Sequence, residues 1–217
     1  MQKYLITTPL RTACFRGNAI QETQRLTRTE EGGSTHLWYY PWHGRRLLQM
    51  TNSINYFTFC GKSYPETVSQ NLMTEYRRLS NLPGDQRHKN NKLPDANHPD
   101  LPVNVIEWRN YVTSSDETVA DSLGFYFALN PMAFYANGEH NLERCAVSSC
   151  MQTRVYYRSP EFWKACATVN LPGKRDDQYS HALNSFEARC CVYGNAISVL
   201  TKMKFSDANQ KTVNDKC

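Results

Sequence analysis

"INYFTFCGKSYPE", residues 54–66, is the stretch on which the fold turns. Its first half crowds Ile54, Tyr56, Phe57, Thr58 and Phe59 together. Aromatic and β-branched residues suit a pleated surface, so 54–60 reads as a strand. Gly61 makes a turn, and Ser63 with Glu66 three residues on has the pattern of a capping box. Pro65 falls in the first turn, where its missing N–H costs nothing. Val68, Leu72, Tyr76 and Leu79 then recur at helical spacing, which predicts a helix over 63–82 stopped by Pro83-Gly84.

A strand giving way to a helix at 60–63 has chemical consequences. Free N–H groups and the dipole at a helix N-terminus favour anions, so Lys62 and Ser63 are candidate anion-binding residues. The Gly-Lys-Ser triplet lacks the earlier glycine of a phosphate loop, because Tyr56 stands there, and a nucleotide-binding loop is rejected. Cys60 would lie beside both Lys62 and the helix end, which favours thiolate and makes it the candidate nucleophile. The plainer alternative is a small buried cysteine closing a strand.

On the N-terminal side lies "HLWYYPWHGRRLLQM", residues 36–50, which reads as two strands around a turn at 41–44. Alternation puts Leu37 and Tyr39 on one face and Trp38 and Tyr40 on the other, so both faces carry large apolar surface. Either the strand is covered on both sides, or one aromatic face stacks on a partner. Trp38, Tyr40, Trp42, Arg45 and Arg46 are therefore the candidate nucleic-acid-binding residues, as a stacking platform for single strands. His43 is a candidate acid–base group. A hairpin would separate it from His36, which argues against a paired-imidazole site.

Further out, residues 3–8 and 12–15 read as short strands and 18–31 as a helix without a clear apolar stripe. Residues 81–102 carry four prolines and four asparagines without periodicity, and read as a long exposed loop or a boundary. A strand is expected at 103–112 and a short helix at 114–123 capped by Ser114. Two short strands should follow, with a turn at Asn137-Gly138. "MQTRVYYR", residues 151–158, alternates as a strand. Ser159-Pro160-Glu161 opens a helix. A longer helix follows over 177–203, with Ala182, Phe186, Cys190, Tyr193, Ile197 and Leu200 as its stripe and Gly194 as a kink or close crossing. Residues 205–217 read as a polar tail. The expected fold class is α+β: a mainly antiparallel sheet with three or four helices packed on it, in a single domain of 217 residues.

Composition limits the function. A 40% hydrophobic fraction supports a core and excludes a disordered chain. No stretch approaches the roughly 20 apolar residues of a membrane-spanning helix, and no membrane partner is expected. The N-terminus does not read as a signal peptide, so a cytoplasmic setting with reduced thiols is expected for the eight cysteines. Their spacing matches no zinc site, and neither metal nor cofactor is expected. The net charge is +5. Residues 1–50 hold seven Arg/Lys against three acids. These features favour a protein that contacts single-stranded nucleic acid through a basic, aromatic N-terminal half. A small enzyme using a thiol or histidine is the alternative, and a structural or assembly subunit is the third reading.

Overall fold

A computed structural model describes residues 1–23, 42, 44, 48, 50, 51, 53–63, 74, 110–148, 153–179, 183 and 185–202. Helix dominates these residues. A 3-10 turn (Gln2–Tyr4) precedes α1 (Pro9–Glu22), α2 (Ser53–Ser63), α3 (Asp116–Leu129) and α4 (Met132–Tyr135). Strands β1 (Glu143–Ser148) and β2 (Thr153–Arg158), α5 (Pro160–Asn170), a 3-10 turn (Pro172–Lys174) and α6 (Phe186–Thr201) complete the order. The chain divides into two compact units, one of residues 1–26 and 127–217, the other of residues 27–126. The boundary falls within α3.

The expected α+β class holds only in its coarse form. The described residues carry six α-helices and one two-stranded antiparallel sheet, so a mainly sheet protein with three or four helices is corrected. The decisive stretch, 54–60, is helix rather than strand. Tyr56, Phe57, Phe59 and Cys60 are all buried, and their spacing of one, three and four residues is a helical face. Burial of that face overrides the strand preference of the individual residues. The helix expected from Ser63 onward does not start there, since α2 ends at that residue. Positions 64–82 other than Thr74 lie outside the described residues, as do 24–41 and 81–109 with their expected strands and loop.

In the first unit, residues 3–8 and 12–15 are likewise not strands. Thr8 accepts a hydrogen bond from the Arg11 N–H at 3.2 Å, and Pro9 pre-sets the first turn of α1. Thr12, Ala13, Cys14, Phe15, Asn18 and Ala19 are then buried, so the middle of that helix is enclosed around most of its circumference, with Arg16 exposed. α1 packs chiefly against α6 and also touches α5. Gly17 makes the approach possible, because a Cβ there would stand 2.6 Å from the Phe162 ring and 3.2 Å from the Arg189 carbonyl oxygen.

α3 is longer than expected and absorbs "GFYFAL", which reads as a strand by propensity. Its cap is Ser115 rather than Ser114, with the Ser115 Oγ accepting from the Thr118 N–H at 3.1 Å. Asn137-Gly138 follows α4 instead of joining two strands, and no glycine among the described residues has positive φ. β2 forms as its alternation predicts and pairs with β1 from Glu143–Arg158 to Ser148–Thr153. Ser159 caps α5 as expected, accepting from the Phe162 N–H at 3.1 Å. α6 is shorter than the predicted 177–203 helix, but Cys190, Tyr193 and Ile197 of its stripe are buried. A Cβ at Gly194 would stand 3.9 Å from the Tyr157 Cβ of β2, an ordinary van der Waals contact, so the packing of α6 on β2 does not demand glycine there.

Candidate functional site

Two polar centres and one surface in the first unit carry the chemistry of the described residues. The first centre joins three helices. Arg189, only 1% exposed, donates from Nη1 to the Asn18 Oδ1 at 3.0 Å and from Nη2 to the Asn170 Oδ1 at 3.4 Å. Nη2 also reaches the Glu22 carboxylate, on which the Asn170 Nδ2 converges at 3.1 Å. A buried charge is tolerated when it is paired and hydrogen-bonded, and this one is both.

The second centre ties the 136–142 loop to α5 and α6. His140 Nδ1 is hydrogen-bonded to the Tyr193 hydroxyl. The Ser159 Oγ lies 3.3 Å from that hydroxyl and 3.4 Å from Nδ1. Phe162 stacks on the Tyr193 ring at 4.0 Å and 6°. Burial lowers the His140 pKa, while the nearby Glu161 charge and the Tyr135 backbone pull it the other way. Burial pushes the Tyr193 phenol well up, so it stays protonated. Among the described residues, the buried His140 Nε2 and Glu161 Oε2 have no hydrogen-bond partner. Ser159 and Tyr193 are themselves fully buried, so the cluster is a clamp rather than a substrate-facing nucleophile and base.

The surface lies on α4, α5 and the turn after α5. Phe134 is 74% exposed and stands edge-on to Tyr135, with ring centroids 5.4 Å apart. Leaving such a side chain in water forgoes about 1.5–3 kcal/mol of burial. Lys164 Nζ and the Arg175 guanidinium each lie 5.8 Å from the Tyr135 ring centre, within cation–π range. Arg175 pairs with Asp176 at 2.9 Å and Lys174 with Asp177 at 3.3 Å. The Arg175 hydrogen bond holds the Asp176 carboxyl below its usual range.

The residues singled out from sequence fall elsewhere. Trp42 is fully buried, packed on Tyr56 at 5.5 Å and Phe57 at 5.3 Å, so its ring is not offered to a partner. Trp38, Tyr40, His43, Arg45 and Arg46 lie outside the described residues. Cys60 is buried inside α2, not at a helix N-terminus, and burial pushes its thiol up to about 12. The expectation of a thiolate there is corrected. Lys62 and Ser63 end α2, where the dipole is negative and disfavours an anion.

Burial also raises Cys14, Cys166 and Cys190, and the six described cysteines are free thiols. Among the described residues no group of three or more His, Cys, Asp or Glu could hold a metal ion, and no helix is long and apolar enough to cross a membrane. One signal for the missed residues was present. Arg189 is the lone cation in "FEARCCVYGNAISVL", a largely apolar helix, and such a charge, when buried, requires a partner. His140 carries no comparable local signal. No protein-family model, curated protein or solved structure matches the chain.

Proposed function

We propose that the protein binds single-stranded nucleic acid, and that the first unit is the part that binds. The supporting observation is the partition of charge. The first unit holds 15 Arg/Lys against nine Asp/Glu, whereas the second holds 10 against 11. The positive excess therefore belongs to one compact body instead of being spread along the chain, and such a body attracts a phosphate backbone. Arg16 on α1, Arg144 on β1 and Lys202 after α6 are exposed members of that excess. The proposal departs from an N-terminal-half binder in one respect. Residues 1–26 contribute four Arg/Lys against one acid, but they fold with the C-terminal part of the chain.

The test is fluorescence anisotropy with labelled oligo(dT) and oligo(U) across a salt series. Affinity should fall linearly on a log–log plot, with a slope near −0.7 for each phosphate neutralised. Arg16→Ala with Arg144→Ala should flatten that slope. Absence of binding at low salt overturns the proposal. The thiol-enzyme alternative draws no comparable support, because burial keeps Cys14, Cys60, Cys166 and Cys190 protonated.

A further inference from the structure

The surface on α4 and α5 combines features that no fold requirement explains. Phe134 sits in a four-residue helix with its ring in water, while its neighbour Met132 is fully buried. Tyr135 is flanked by two cations, and a third, Lys174, is half exposed beside them. An accessible ring next to cations complements the two parts of a single strand, its bases and its phosphates. Two carboxylates occupy two of those cations, Asp176 on Arg175 and Asp177 on Lys174. Both pairs are exposed, and exposed ion pairs are weak and readily screened. A phosphate arriving at the surface can therefore displace them.

We propose that Phe134 and Tyr135, with Lys164, Lys174 and Arg175, form the surface on which single-stranded nucleic acid stacks, and that Asp176 and Asp177 restrain two of its cations in the free protein. This rests on the binding reading above and assigns it a place. Phe134 supplies the stacking face. Lys164 makes no ion pair with a carboxylate among the described residues, feels Asp176 only at longer range, and takes the first phosphate. Arg175 and Lys174 exchange their carboxylates for phosphate as the strand lies down. Stacking tolerates any base, so the site selects single strands over duplex, whose bases are already stacked.

The test uses the full chain and a fluorescein-labelled oligo(dT) of about 12 nucleotides, within the site sizes such surfaces show. Phe134→Ala should weaken binding roughly fivefold or more with the salt slope unchanged, since a base contact releases no counterion. Phe134→Trp should restore it. The double variant Asp176→Asn, Asp177→Asn should bind more tightly and with a steeper salt slope. Circular dichroism checks that each variant folds, which the exposure of these side chains favours. If wild-type protein does not bind at low salt, the reading of function fails and the site fails with it. If wild-type protein binds and Phe134→Ala binds equally well, the site alone is overturned. Dextran sulfate separates stacking from charge: it has no bases, so its binding should be indifferent to Phe134→Ala, and a parallel loss would overturn stacking. Weaker binding by the Asp176/Asp177 variant would overturn the restraint.

Discussion

The two buried polar centres of the first unit differ in how completely their hydrogen-bonding groups are used. Around Arg189, donors and acceptors from α1, α5 and α6 close on one another: Asn18, Glu22 and Asn170 all face one guanidinium. Around His140, one side is closed by Tyr193 and Ser159, while among the described residues Nε2 and the Glu161 Oε2 have no hydrogen-bond partner. The first arrangement resists change, because removing Arg189 breaks contacts to α1 and α5 at once. The second has a neutral imidazole at its centre whose protonation state depends on solution conditions. The difference is between a permanent interlock and a titratable one.

Arg189→Ala should have the largest effect on stability. It removes the buried guanidinium that pairs with the partly buried Glu22 carboxylate, and losing one partner of a buried pair costs about 3–5 kcal/mol. Urea denaturation followed by circular dichroism measures the loss, and a loss near zero would show that the network contributes nothing. Gly17→Ala attacks the same helix contact by volume. Its Cβ meets the Phe162 ring at 2.6 Å, and overpacking of this kind costs about 1–3 kcal/mol. Ser159→Ala removes the α5 cap and one contact of the His140 centre together, and should cost about 1 kcal/mol.

The His140 centre is sharpened by pH. Its folded pKa is lowered, so between that value and about 6.5 the unfolded chain binds more protons than the folded one. Its contribution to stability is thus full above about pH 6.5 and declines as the pH falls below it. His140→Gln should flatten that decline, whereas Arg189 variants should leave its shape unchanged. The smallest expected effect concerns the thiols. Cys14 and Cys60 should resist alkylation at pH 8 in the folded protein and react after unfolding, as mass mapping would show.

Legibility of the fold tracks how local its cause is. The start of α5 is written in three consecutive residues, Ser159-Pro160-Glu161, and β2 in six alternating ones; both are found where expected. α2 and the end of α3 are not, because their aromatic residues have strand preference by type and helical order only by spacing. Phe57, Phe59, Phe125 and Phe127 are buried on helices, and tertiary burial outweighs propensity there. The α4–α5 surface was not legible: none of its residues is among the candidates read from the sequence. Phe134 and Tyr135 resemble core residues when read along the chain, and only the exposure of one of them separates surface from core. Glu22 and Arg189 stand 167 residues apart, beyond the reach of any periodicity.

That separation also sets an order of events during synthesis. α1 is made well before its main packing partner, α6. At roughly 5–20 residues per second, α1 waits on the order of ten seconds before α6 can cover its buried residues. Residues 27–126 are complete well before then, so the second unit can form while the first is still missing its closing helix. The Gly17–Phe162 contact and the Arg189 network are therefore late events, and a nascent chain arrested before α6 would expose the face of α1 that the finished protein hides.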